Sequence, residues 1–182
     1  MALPIPANEM YELEDPATFI NAMAGAVTPV SIVTTDGPAG KFGMTVSAVS
    51  SVSADPPTVL ACINQRSPAC DAIRENGVFC INLLSNTQST IANNFAGRSV
   101  NGNAPYDFSI AEWTTAKSGS AILLNATASF DCVVSQLHIA GTHLIVIGEV
   151  LGTFASENTA LGYKNREYQS IVPLPANQLS EE

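Results

Sequence analysis

The apolar positions open at helical spacing. Asp15-Pro16 reads as an N-cap followed by proline at the first helical position, and Phe19, Ala22, Met23 and Ala26 then recur three or four residues apart, predicting one amphipathic helix. The period then drops to two. Val30 to Thr34 (VSIVT) predicts a strand, Asp36-Gly37-Pro38-Ala39-Gly40 a turn, and Phe42 to Val52 a second strand. Asp55-Pro56-Pro57 stops that strand, because proline has no N–H to give to a ladder. Thr58 to Asn64 (TVLACIN) is apolar enough for a core strand. Ser67-Pro68 repeats the cap-and-proline signature and opens a short helix to Asn76, closed by Gly77. Val78 to Leu84 (VFCINLL) predicts a buried strand, followed by a helix from about Gln88 to Phe95. Gly97 to Tyr106 (GRSVNGNAPY) is polar and glycine-containing, and reads as a loop. Three more strands are expected at Ala126 to Gln136, His143 to Phe154 and Leu161 to Tyr168, with a tail from Pro173 and Pro175.

About seven strands and two or three short helices, joined mostly strand to strand, predict a mainly β protein built as a closed or half-open antiparallel barrel. No G-x-G-x-x-G follows a strand and no G-x-x-x-x-G-K-[ST] occurs, which disfavours a Rossmann fold and a P-loop. The 182 residues suggest a single domain, 1–182, with a core of about 15–170 and a tail over 171–182. Hydrophobic residues at 46% and charged residues at 13% provide a substantial core and exclude a disordered chain.

Charge narrows the partners. Seven Lys+Arg against sixteen Asp+Glu give a net charge of -9, so phosphate backbones and anionic membranes would repel the chain, and neither nucleic acid nor membrane is expected as a partner. Met1 to Met10 has no basic region and no apolar run, and Leu144 to Leu151 is short and interrupted by Glu149; a cytoplasmic protein is expected. Cys62, Cys70, Cys80 and Cys132 form no C-x-x-C pair and have no histidine at ligand spacing, so reduced thiols are expected, buried at Cys62, Cys80 and Cys132, and no metal.

The candidate chemistry is sparse. Gly43 to Ser53 carries hydroxyls at Thr45, Ser47, Ser50, Ser51 and Ser53. Alternation puts Thr45 and Ser47 on one face and Met44, Val46 and Ala48 on the other. Such a strand can read a flat polar heterocycle, although an edge strand whose hydroxyls face water is the commoner case. Cys62-Ile63-Asn64-Gln65-Arg66-Ser67-Pro68 leads into a helix start, where positive potential and Arg66 could hold a phosphate; an ordinary capped helix is the plainer reading. His143, after Gly141-Thr142, could face a pocket mouth, whereas His138 has no such context. Lys164 and Arg166, with Tyr163 and Tyr168, could bind a phosphate and stack on a ring, or could form an exposed final strand. There is no nucleophile elbow, no H-E-x-x-H and no recognisable pair of catalytic carboxylates. Hydroxyls, backbone and a few cations suit holding a redox cofactor better than hydrolysis.

In order and spacing, several stretches resemble the flavin reductase-like family, the small NAD(P)H:flavin oxidoreductases of two-component monooxygenases, and most of all its 4-hydroxyphenylacetate 3-monooxygenase reductase branch. They are Phe19 to Thr35 (FINAMAGAVTPVSIVTT), Gly43 to Pro57 (GMTVSAVSSVSADPP), Val59 to Ser67 (VLACINQRS), Cys80 to Leu84 (CINLL), Asn94 to Gly97 (NFAG), Gly141 to Val150 (GTHLIVIGEV) and Tyr163 to Tyr168 (YKNREY). The resemblance implies an FMN-binding split β-barrel of Greek-key type with a few short helices. It further implies a homodimer, FMN or FAD as flavin, NADH or NADPH as co-substrate, and a separate oxygenase receiving reduced flavin.

Carried over by position, Thr45, Val46, Ser47 and Ala48 would lie along the isoalloxazine, with Ser50 and Ser51 close by. Cys62, Ile63 and Asn64 would border the ring through backbone groups, Ser67 would bind the phosphate, and Phe95 and Ala96 would close the pocket. His143 would sit where the nicotinamide approaches, and Tyr163, Lys164 and Arg166 would help hold NAD(P)H. Pro29, where many relatives have a small residue, and the acid in the Lys164-Asn165-Arg166-Glu167 run depart from the pattern. Alternative readings are a non-enzymatic FMN-binding electron carrier, a reductase whose reduced flavin serves a corrinoid, and a purely structural barrel.

Overall fold

Antiparallel pairing dominates the computed structural model, which describes residues 14–174. In chain order the elements are α1 (Pro16–Ala24), β1 (Thr28–Pro29), β2 (Ser31–Thr35), β3 (Phe42–Val46), β4 (Val49–Ala54), β5 (Pro57–Asn64), α2 (Pro68–Asn76), β6 (Val78–Leu83) and α3 (Ser89–Phe95). A 3-10 turn at Phe108–Ile110 follows, then β7 (Trp113–Thr115), β8 (Ala121–Leu123), β9 (Ala128–Ala140), β10 (His143–Ala155), β11 (Ala160–Lys164) and β12 (Glu167–Ile171). Seven strands form the main sheet in the order β3-β2-β6-β9-β10-β5-β4; β1-β11-β12 and β7-β8 form two smaller ones. The readings of Met1 to Met10 and of the tail from Pro175 lie outside the described residues. No helix among the described residues is long and apolar enough to cross a membrane.

The predicted single strand from Phe42 to Val52 is two strands. It breaks at Ser47-Ala48, and its halves lie on opposite edges of the seven-stranded sheet, β3 beside β2 and β4 beside β5. The Cys62 N–H donates to the Ala48 carbonyl at 2.9 Å, so the chain between the halves is held at the β5 side. No ladder joins β3 to β4 among the described residues, so hydrogen bonding leaves the sheet open; of the closed or half-open barrel expected, the closed form is not seen. The expected last strand, Leu161 to Tyr168, is also two. Asn165 (φ 51°) and Arg166 (φ 65°) take left-handed conformations and turn β11 into β12, the geometry of a two-residue hairpin loop.

Two apolar clusters hold these layers. Val33, Ile63, Ile73, Phe79, Leu144 and Val146 pack between the sheet and α2; Ile32, Leu84, Phe95, Leu123 and Leu161 pack on the α3 side. Adjacent residues of β2, Ile32 and Val33, enter different clusters, so all five of its residues are buried. Each such side chain contributes about 1.5–3 kcal/mol of burial. Helix α2 matches the sequence reading: Ser67 caps it, Pro68 begins it, and Gly77 at φ 67° ends it. In α1 the Asp15 cap is also present, but the helix buries none of its side chains, and Phe19, Ile20 and Met23 face outward. The thiol expectation needs one correction: Cys62 is only half-buried, because it lies on the open face of β5, while Cys70, Cys80 and Cys132 are buried.

Candidate active site

Two elements, the end of β5 and the middle of the edge strand β3, place the polar groups. On β5 the buried residues are Val59, Ala61 and Ile63, so Cys62 and Asn64 face away from the core. The turn after Asn64 closes on itself. Arg66 N–H donates to Asn64 Oδ1 (2.9 Å), Ser67 N–H to the Asn64 carbonyl (3.0 Å) and Ala69 N–H to Ser67 Oγ (3.3 Å). Three backbone donors of the turn are thus already engaged. The groups left for an anion are the Ser67 hydroxyl proton, the exposed Arg66 guanidinium and the positive end of the α2 dipole.

A groove of about 380 Å³ starts at this turn. Its walls are Asn64, Arg66, Ser67, Met44, Thr45, Phe95, Ala96 and Tyr106. A second cavity of about 190 Å³ shares Thr45 and Ala96 with it and continues to Ser47, Arg98, Tyr163 and Tyr168. The path has a helix start at one end and a tyrosine pair, ring centroids 5.3 Å apart, at the other. Thr45 Oγ1 donates to the Ala92 carbonyl at 2.7 Å, fixing α3 against β3 and leaving its lone pairs toward the groove. Ser47 and Ala48 belong to neither the β3 nor the β4 ladder, so strand pairing does not occupy their N–H groups.

The structure brings Thr45, Ser47, Asn64, Ser67, Phe95, Ala96 and Tyr163 to this path. His143 lies directly opposite Asn64 on β10, on the same face of the sheet, and shares a 2.9 Å hydrogen bond between Nδ1 and Thr142 Oγ1. Val46 and Ile63 point into the core, so only their backbone can serve a ligand. Burial pushes the Cys62 thiol above its ordinary value and keeps it neutral. Ser50 and Ser51 are not on the path. They line a separate apolar cavity with Pro29, Val59, Leu83 and Phe130. Lys164 and Arg166 are exposed at the β11–β12 turn, beyond the walls that Tyr163 reaches.

Sequence reasoning missed Met44, Arg98 and Tyr106, which also line the path. Two of these fall in the segment read as an undifferentiated loop. The usable signal was that Arg98 is one of only seven cations. Arg98 Nη1 and the Tyr168 hydroxyl both donate to Asn93 Oδ1, at 3.1 and 3.2 Å, which ties the loop to the last hairpin. Burial is the main cause that raises the Tyr168 phenol, with Arg98 acting in the opposite direction.

Residues 23–172 match the Flavin reductase like domain family. The chain is 37% identical over 171 residues to the FMN reductase (NADH) RutF of Pantoea ananatis, covering 92% of this chain and 87% of that one. Among solved structures it resembles the flavin reductase PheA2 with a TM-score of 0.79 at 29% identity, covering 88% of this chain and all of that one. It also resembles the styrene monooxygenase flavin reductase of Pseudomonas putida S12, with a TM-score of 0.74 at 26% identity, covering 87% of this chain and 99% of that one.

Proposed function

The chain belongs to the flavin reductase-like family, and on that premise we propose that it is an NADH-dependent reductase of FMN or FAD that hands reduced flavin to a separate oxygenase component. The observation that carries this reading is the continuous path from the Ser67 turn, past Thr45 and Ala96, to Ser47 and Tyr163. Its combined lining of hydroxyls and aromatic rings and its cationic, helix-capped end suit a tricyclic ring with a phosphorylated side chain.

A flavin held along this path would supply the redox chemistry, hydride acceptance from a nicotinamide. The chain's residues supply position and charge. The Ser67 hydroxyl and Arg66 hold the phosphate end. The backbone N–H groups at Ser47 and Ala48, left free by strand pairing, would stabilise negative charge developing on a ring bound beside them. Phe95 and Ala96 exclude water from one side. His143, beside Asn64, orients the nicotinamide and takes no proton in the transfer itself, since a hydride leaves its carbon with both bonding electrons. Tyr163, with Lys164 and Arg166 on the turn beyond it, holds the rest of the pyridine nucleotide. In this reading the two edges of the open sheet belong to a split barrel that acts as a homodimer.

Anaerobic titration tests the proposal. The protein should bind FMN, and added NADH should bleach the flavin absorbance near 450 nm, on the order of seconds or faster as expected for an ordinary enzyme turnover. An electron carrier would hold FMN and leave its colour unchanged with NADH alone. No quenching of flavin fluorescence by the protein would end the flavin reading altogether.

A further inference from the structure

The groove does not end at Ser67. Ser67, Pro68 and Tyr106 are also walls of an adjoining cavity of about 210 Å³, whose far side is Lys41, Phe42 and Phe108. A substituent carried by a phosphate at Ser67 would have this annex as its neighbouring space. Its lining is mainly apolar and aromatic. Lys41 Nζ stands 4.8 Å over the Phe108 ring, and that ring is itself braced by Phe95 (centroids 4.9 Å) and Trp113 (5.0 Å).

Tyr106 forms the partition between groove and annex, and its backbone is held in a left-handed conformation, φ 63°, that a non-glycine residue rarely adopts. The fully buried Asn94 imposes it. Tyr106 N–H donates to the Asn94 carbonyl (3.2 Å), Asp107 N–H to Asn94 Oδ1 (2.8 Å), and Asn94 Nδ2 to the Ala104 carbonyl (2.7 Å). A loop pinned this firmly presents an exposed phenol ring at a fixed place.

We propose, on the basis of the flavin site above, that this annex takes the adenylate half of FAD, with Tyr106 stacking on the adenine and Lys41 meeting the second phosphate. A terminal phosphate monoester would leave the aromatic wall unfilled. A purine offers the flat π-face that Tyr106 and Phe108 complement, and the pyrophosphate supplies a negative partner for the Lys41 ammonium. The chain thereby prefers FAD to FMN.

The test is fluorescence titration of riboflavin, FMN and FAD against the wild type and the Tyr106→Ala, Tyr106→Phe and Lys41→Gln variants. FAD should bind wild type more tightly than FMN. Tyr106→Ala should reduce the FAD:FMN affinity ratio roughly tenfold, the scale of one aromatic–base stack, while Tyr106→Phe retains it. Lys41→Gln, an exposed substitution that gives up only the ammonium over the Phe108 ring, should reduce the same ratio. FAD binding no tighter than FMN, or a ratio indifferent to Tyr106→Ala, overturns the annex while leaving the flavin site standing. A raised KM for NADH in Tyr106→Ala with the ratio unchanged assigns the annex to the co-substrate's adenylate and also overturns it. If no flavin binds wild type, the flavin site itself falls first.

Discussion

His143 and Asn64 are direct partners across the β5–β10 ladder, so the first residue of one strand and the last of another stand side by side at the groove's edge. Asn64 is committed to its turn through the Arg66 N–H. The imidazole is bonded only to its neighbour Thr142 among the described residues. It is the free member of the pair. His143→Ala should lower kcat/KM for NADH by roughly ten- to a hundredfold, the usual effect of losing an orienting contact. The Kd for flavin should change less than about twofold, since binding rests on the Ser67 end. Steady-state rates equal to wild type would remove His143 from the reaction.

Ser67 caps α2, and in the proposed reading it also meets the phosphate. Aspartate is as good a cap but repels an anion. Ser67→Asp should hold the unfolding free energy within about 0.5 kcal/mol of wild type and weaken FMN roughly tenfold or more. Riboflavin, which has no phosphate, is the control and should bind both proteins alike. Equal FMN affinity would show that the phosphate lies elsewhere.

Gly43 supports the groove from behind. A Cβ there would meet Phe95 Cε1 at 2.9 Å and Phe108 Cζ at 3.1 Å. Both rings are interlocked with Trp113 and cannot withdraw singly. Gly43→Ala should cost about 1–3 kcal/mol in denaturant unfolding and weaken flavin binding in parallel. Unchanged stability would mean that the aromatic cluster is looser than it is drawn.

Two buried thiols make stability depend on alkaline pH. Burial first, then the neighbouring Asp131 carboxylate, pushes Cys132 from 9.0 up to about 12, and Cys80 is pushed higher still by the same causes. In the unfolded chain both ionise near their ordinary value, while the folded protein keeps both protons. Above pH 9 the unfolded state binds fewer protons, so stability present below that pH is lost as pH rises toward 12. The expected slope is about 1.4 kcal/mol per pH unit for each thiol. Cys132→Ala should roughly halve it; a flat profile from pH 9 to 11 would contradict the assignment.

The β11–β12 turn separates stability from function. Asn165-Arg166 occupies two left-handed positions, and glycine is better than arginine at the second. Arg166→Gly should stabilise the fold by about 0.5–1 kcal/mol. If Arg166 holds the pyridine nucleotide, KM for NADH should rise severalfold in the same variant. A stabilised protein with unchanged KM would confine Arg166 to the turn.

Local signals carried much of the fold. Asp15-Pro16 and Ser67-Pro68 marked two helix starts because caps and N1 prolines act within one turn of chain. Apolar runs bounded by turn residues marked β2, β5, β6, β9 and β10 within a few residues. For the site, Thr45, Ser47, Asn64, Ser67, Phe95 and Ala96 were carried over from the family resemblance, and the structure brings them to one path.

The sequence by itself determined the antiparallel β character, the capped α2 and the absence of a phosphate-binding glycine loop after a strand, because each is set by neighbours along the chain. Tertiary structure alone decided the rest. Period-two alternation is the same in one strand or two, so only the partners β2 and β5 show that Phe42 to Val52 divides and that Ser50 and Ser51 leave the groove. β7 and β8 are three residues each, too short to register as a pattern. β8 is fixed by the buried Asn82, whose Oδ1 accepts from the Leu123 N–H at 2.9 Å and whose Nδ2 donates to the Ile32 carbonyl at 3.1 Å. Tyr106 reached the groove through Asn94 in the same way. A buried amide joins segments distant in sequence, and a local pattern carries no trace of its partner.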